Sequence, residues 1–146
     1  MTASSARARR SEAASMIGLD TNVLVRLLTA DDPAQLKAAS RLLAAHDGEP
    51  GAFFVNDMVL VELVRVLGRL YGFAPAEALT AIASLLESNA FSFEDRDRLS
   101  HAVSQCGERA CDFADTMRVL KNATAPCEYT ATFDKAMRAL PGVRVL

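Results

Sequence analysis

A chain of 146 residues, 51% hydrophobic and 23% charged, is the size of one domain with one core, and at this length folding buries roughly two thirds of the surface exposed by the unfolded chain. The balance is that of a soluble globular protein and excludes an intrinsically disordered chain, while no apolar run approaches the ~20 residues a membrane-spanning helix requires. A net charge of −2 excludes a protein that holds nucleic acid mainly by bulk positive charge; it leaves room for an anionic metal site beside a basic rim, where a bound cation reverses the field that a phosphate meets.

Residues 1–15 are rich in Ala, Ser and Arg, with Arg7, Arg9 and Arg10 against Glu12 and no apolar periodicity. They read as a disordered extension, with the domain spanning 16–146. No apolar stretch follows the paired arginines, as an export signal would need. Without this tail the remainder carries −4. Met16 to Leu19 is a short apolar strand ending at Asp20, and Val23, Leu24, Leu27 and Leu28 then follow at helical spacing. Asp31-Asp32-Pro33 supplies the cap and first-turn proline of a second helix to about His46, with Leu36, Ala39, Leu43 and Ala44 facing inward.

Ala52 to Val55 reads as the next strand, and Asn56 caps a helix to about Tyr71, where Leu60, Leu63, Val64 and Leu67 make the apolar stripe and Gly72 the stop. Pro75 to Glu87 is a fourth helix bearing Leu79, Ile82, Leu85 and Leu86. Ala90 to Phe93 alternates as a strand, and a helix runs from Asp95 to about Cys106. Another spans about Asp112 to Asn122. Glu128 to Ala131 is strand-like, a short helix follows near Lys135 to Leu140, and a last strand covers Val143 to Leu146 after Pro141-Gly142. Short strands alternating with longer helices predict an α/β sandwich on a mostly parallel sheet, with ligands outside the carboxyl ends of the strands, where the strand order reverses.

Cys106, Cys111 and Cys127 fit neither a redox pair nor a zinc site and read as buried, reduced thiols, which suits a cytoplasmic protein. His46 and His101 stand in no motif, so histidine ligation and a Ser/His/Asp triad are set aside. The chemistry falls to the acids. Asp20 directly follows the first strand, and Asp134 lies two residues past the strand ending near Thr132. Asp112 and Asp115, three apart at a helix start, share a face. Glu62 interrupts the run Met58 to Leu67, an acid in an apolar setting, costly to bury unless paired, protonated or metal-bound.

Each acid has a bland reading. Asp20 and Asp134 serve as helix caps, Asp112 and Asp115 as a cap and third residue, and Glu62 as an exposed edge residue. Brought to one sheet edge, however, carboxylates about 5 Å apart repel by about 3 kcal/mol per pair at an effective dielectric near 20, so a cluster persists only when a cation or proton neutralises it. Oxygen ligands of this kind suit Mg²⁺ or Mn²⁺ rather than zinc.

The segments Ile17 to Arg26, Val61-Glu62-Leu63, Cys111 to Asp115 and Thr132-Phe133-Asp134-Lys135, in this order and spacing, resemble PIN-domain ribonucleases, specifically VapC-type toxins of toxin–antitoxin pairs. The likeness spans about residues 16–146. It implies a three-layer sandwich with a central, mostly parallel sheet flanked by helices. It also implies a metal held by Asp20, Glu62, Asp115 and Asp134, with Asp112 as an extra acid and Thr21, Asn22 and Thr132 as supporting polar residues. RNA substrate, a homodimer and a cognate antitoxin are implied as well. Arg65 stands where many relatives carry an aromatic residue, and Thr116-Met117 where small apolar residues are common. Arg26, Arg65, Arg69, Arg118 and Lys121 are candidate phosphate contacts. Two other classes remain: a catalytically inactive PIN fold acting as a protein- or RNA-binding module, and a flavodoxin-like phosphoacceptor. Thr21-Asn22 stands after Asp20 where the phosphoacceptor would need a second acid.

Overall fold

The computed structural model describes residues 16–109 and 111–146; the extension expected over residues 1–15 lies outside them. The elements follow in the order β1 (Ile17–Gly18), α1 (Thr21–Thr29), α2 (Pro33–Ala45), β2 (Phe53–Val55), α3 (Asp57–Tyr71), α4 (Pro75–Glu87), β3 (Phe91–Phe93), α5 (Arg96–Arg109), α6 (Phe113–Thr124) and β4 (Thr130–Thr132), and end with a 3₁₀ turn (Lys135–Ala139) and β5 (Val143–Val145). Local chemistry sets most of the boundaries. Asp32 accepts from the Gln35 amide ahead of Pro33, and Asn56 accepts from the Val59 amide at the head of α3, each satisfying an amide with no partner inside the helix. Gly72 closes α3 at φ 68°, a left-handed conformation that favours glycine.

The alternation of strand and helix gives an α/β fold with parallel strands and flanking helices, as expected. β1, β2 and β3 form one ladder in that order, all parallel, with Phe53 opposite both Ile17 and Phe91. A parallel step needs a long crossover, and the helix pairs α1–α2 and α3–α4 supply it. β4 and β5 pair parallel in a separate two-stranded ladder. Among the described residues neither ladder contains the reversal of strand order expected to mark a ligand site; β1 is only two residues long and offers little edge for a further strand to join. β4 also sits further along the chain than the Glu128–Ala131 strand expected from the sequence. Residues 130–132 bring their N–H and C=O groups into register with 143–145.

The main core lies between the β1–β3 ladder and α1, α3, α4 and α5, where Leu24, Phe53, Val55, Leu60, Leu63, Leu67, Ile82 and Leu99 are buried together. The α3 stripe is the expected one with Val64 moved to its half-buried margin. In α2 only Ala39 is buried; Leu43 packs half-buried against the main core as expected, whereas Leu36 is only half-buried and Ala44 is exposed. A second, small core joins α6 to the C-terminal ladder through Val119, Met137 and Leu140, with Cys111 and Val143 against it.

The three thiols differ, against the expectation that all are buried. Cys106 is buried, Cys111 half-buried and Cys127 exposed. Burial pushes the Cys106 thiol above its ordinary range, against the opposing hydrogen bond with Thr116. Iodoacetamide is therefore expected to modify Cys127 first and to reach Cys106 only on unfolding, a sequence that peptide mass mapping against time reads out; early labelling of Cys106 would contradict this packing.

Candidate active site

Four of the acids singled out in the sequence stand at the start of a helical element, where the bland reading holds as geometry, while Glu62 lies within α3. Asp20 Oδ1 accepts from the Thr21 amide at 2.8 Å, and Asp134 Oδ1 from the Ala136 amide at 2.9 Å. Asp112 Oδ1 accepts from the Asp115 amide at 2.9 Å, and Asp115 Oδ1 pairs with Arg118 Nη1 at 2.8 Å. Capping and ligation are not exclusive, because each bond uses Oδ1. Among the described residues Oδ2 of all four accepts no hydrogen bond, and Glu62 has neither a hydrogen bond nor an ion pair.

Glu62 is exposed, which corrects its reading as an acid in apolar surroundings. It projects from α3 at the rim of a hollow of about 570 Å³ whose lining includes Asp57, Arg65, Glu94, Arg118 and Lys121. Asp112 and Asp115 share an adjoining hollow of about 380 Å³ with Arg65, Arg69 and Arg118. The two hollows have Val61, Arg65, Ala114 and Arg118 in common, so α3 and α6 bring Glu62 and the Asp112–Asp115 pair to neighbouring parts of one groove. Asp20 and Asp134 line neither hollow. They stand at the carboxyl ends of β1 and β4, strands of two different ladders, and Thr132 Oγ1 accepts from the Asp134 amide at 3.0 Å. Thr21 is buried with its hydroxyl unpartnered, while Asn22 lines another hollow with Arg26 between α1 and α2. Gathering of all the acids into one tight cluster is not what the side chains do: among the described residues no three His, Cys, Asp or Glu side chains stand together as ligands for one ion.

Sequence reasoning missed a charged network at the same strand edge. Asp57, only 4% exposed, opens α3 two residues after β2, and Glu94 directly follows β3. Asp57 Oδ2 accepts from Arg98 Nη2 and from Lys121 Nζ, both at 2.6 Å. Lys121 also reaches Glu94 Oε2 at 3.1 Å, and the Asp57 amide donates to Glu94 Oε1 at 3.3 Å. Burial by itself raises the Asp57 carboxyl, but the hydrogen bonds with Lys121, Glu94 and Arg98 outweigh it and hold the group below the ordinary carboxylate range. The hydrogen bond to Asp57 raises the Lys121 ammonium against a smaller cost of burial. The rule that flagged Asp20, a residue just after a strand, would have flagged Asp57 and Glu94 too; Asn56 drew attention away as the cap.

The network also sorts the cations. Lys121 neutralises buried carboxylate, and Arg118 is paired to Asp115. Arg26 is held by Gln35 at 2.6 Å, Tyr71 at 2.9 Å and Asp31 at 3.1 Å, a corner joining α1, α2 and α3. Its role is structural. Arg65 and Arg69, exposed on α3, have no carboxylate partner among the described residues.

The chain thus combines a parallel α/β fold, carboxylates that follow its strands, and a groove between α3 and α6 lined by acids and arginines. The PIN-domain family model matches residues 17–142, and the chain belongs to the PIN-domain family. PIN domains are generally nucleases and typically use divalent metals. No curated protein matches the chain. No helix among the described residues is long and apolar enough to cross a membrane. The residues present fit a hard divalent cation in donor chemistry: every candidate is a carboxylate with an oxygen to spare, as Mg²⁺ needs when one or two carboxylates and several waters complete its shell. They do not supply an all-protein cage.

Proposed function

We propose that this protein is a metal-dependent endoribonuclease, the toxin component of a VapBC-type toxin–antitoxin pair, acting in the cytoplasm on RNA phosphodiester bonds. The observation that carries the reading is the family match over residues 17–142, within which all the acids of the expected set occur, each with an unengaged oxygen. Asp20, Glu62, Asp115 and Asp134 are the catalytic set, with Asp112 as an additional metal-holding acid and Thr21, Asn22 and Thr132 in support. When bound, Mg²⁺ or Mn²⁺ supplies an activated water and charge stabilisation on the attacking and leaving oxygens. Asp20 stands just after β1, where the Thr21 amide fixes its orientation, and Asp115 stands in the first turn of α6, where Arg118 fixes its own. Arg118, tethered to Asp115, limits the free negative charge that an approaching phosphate meets. Hydrolysis leaves a 5′-phosphate and a 3′-hydroxyl. A homodimer and a cognate antitoxin, whose basic segment answers the acids of the groove, complete the assignment.

A second reading, a PIN fold that binds RNA or protein without cutting, is favoured by the separation of the acids among the described residues. Incubation of the purified full chain with total RNA separates the two. Cleavage with Mg²⁺ or Mn²⁺ that EDTA abolishes, with 5′-phosphate termini on the products, supports the nuclease; binding without cleavage in both metals supports the module.

A further inference from the structure

We propose that Arg65, Arg69 and Arg118 form a phosphate-binding strip for single-stranded RNA across the α3–α6 groove, a site that seats the backbone beside the bond to be cut. The inference rests on the nuclease reading for its substrate class, and on its own geometry for its place. Arg65 and Arg69 are one helical turn apart on the same face of α3, and both line the hollow that Arg118 enters from α6. The same hollow holds Asp112 and Asp115, so within it three guanidinium groups face two carboxylates, while the further acids Asp57, Glu62 and Glu94 lie with Lys121 in the adjoining hollow.

Pairing separates Arg65 and Arg69 from four of the other arginines. Arg26 and Arg98 are committed to carboxylates, Arg96 to the carbonyls of Leu86 and Phe91, and Arg109 to that of Ala139. Arg65 and Arg69 keep their donors unengaged among the described residues, on a rigid helix anchored by the buried Leu63 and Leu67. A guanidinium with free donors on a fixed backbone meets phosphate oxygens with little loss of freedom. Arg118 is more than half exposed and bound to Asp115 through one nitrogen, so its remaining donors face the groove. The N-terminus of the twelve-residue α6 adds its partial positive charge to the same hollow. Anion and acid sites thus adjoin, as cleavage of a polyanion by carboxylates requires.

The test is equilibrium binding of a fluorescein-labelled single-stranded RNA oligonucleotide to the full chain in EDTA, where no cleavage occurs, over about 50 to 200 mM salt. Each phosphate neutralised on a single strand contributes about −0.7 to the slope of log K against log salt. Arg65→Ala with Arg69→Ala is expected to make the slope shallower by about 1.4 and to weaken binding at least tenfold at the low-salt end. Arg65→Lys with Arg69→Lys retains the charge and restores most of the slope, which a packing defect would not permit. Arg41→Ala, an exposed arginine on α2, leaves the slope as it is. An unaltered slope in the double alanine variant, or no RNA binding by the wild type, overturns the strip. A wild type that cleaves RNA while the double variant keeps its slope removes the strip and spares the nuclease. A slope loss with no cleavage by the wild type in Mg²⁺ or Mn²⁺ does the reverse.

Discussion

Replacing Asp57 with alanine is expected to lower the unfolding free energy by about 3–5 kcal/mol, the range for removing one partner of a buried ion pair. Arg98 has a side chain only 12% exposed and already carries an unpartnered Nε, so the variant leaves a largely buried guanidinium with only its longer pairs to Asp95 at 3.6 Å and Glu94 at 3.8 Å. Lys121 loses its stronger anchor at the same time, and α6 loses its tie to the head of α3. Urea unfolding followed by circular dichroism measures the loss, and a change below about 1 kcal/mol would mean that water or Glu94 replaces the carboxylate without cost.

The pH dependence has two limbs. The Asp57 carboxyl lies below its ordinary 3.8 in the folded chain, so its contribution is present above about that pH and is lost as pH falls toward the folded value. The Lys121 ammonium lies above its ordinary 10.5, so its contribution is complete below that pH and is lost as pH rises through the folded value. The stability difference between wild type and Asp57→Ala should therefore hold steady across the neutral range and shrink at both extremes.

The second large effect concerns chemistry. Asp20→Asn and Asp115→Asn are each expected to reduce metal-dependent RNA cleavage by about 100-fold or more, equivalent to about 2.7 kcal/mol in the barrier. Asparagine suits this experiment because it caps a helix about as well as aspartate, so the Asp20 bond to the Thr21 amide survives while the charge does not. At position 115 the loss includes an exposed pair with Arg118, worth at most about 1 kcal/mol. Thermal midpoints should move by only a few degrees. Cleavage that persists undiminished in both variants, with folding intact, would take the carboxylates out of the reaction.

Much of the fold was legible because its signals are local. Asp32-Pro33, Asn56 with Gly72 and Pro75 mark helix limits through single capping or conformational preferences, and α4 spans Pro75–Glu87 as read from the sequence. The three-residue strands were placed to within a residue or two for the same reason, since apolar runs between turn residues leave few alternatives. α2 shows the limit. Its spacing is amphipathic, but whether an apolar stripe enters the core depends on what lies opposite, and for Leu36 and Ala44 little does.

The candidate site was legible as an inventory and not as an arrangement. Asp20, Asp112, Asp115 and Asp134 announce themselves by standing at element ends, yet which of them face one another depends on strand register and on contacts between α3 and α6. Glu62 is instructive: one residue beside a buried stripe is enough, at about 100° per residue, to turn an apparently apolar position outward. The Asp57–Arg98–Lys121 pairing joins residues 41 and 64 positions apart, a separation at which no sequence periodicity operates.

The amino-acid order by itself determined where helices start and stop, which side chains are apolar enough to form a core, and that acids follow the strands. Only the tertiary structure decided which acids keep company with arginines, which are spent on holding α3, α5 and α6 together, and how the strands divide between two ladders. The physical reason is range: capping and periodicity act over a few bonds, whereas charge pairing and burial depend on distances through space that exist only once the chain has closed on itself.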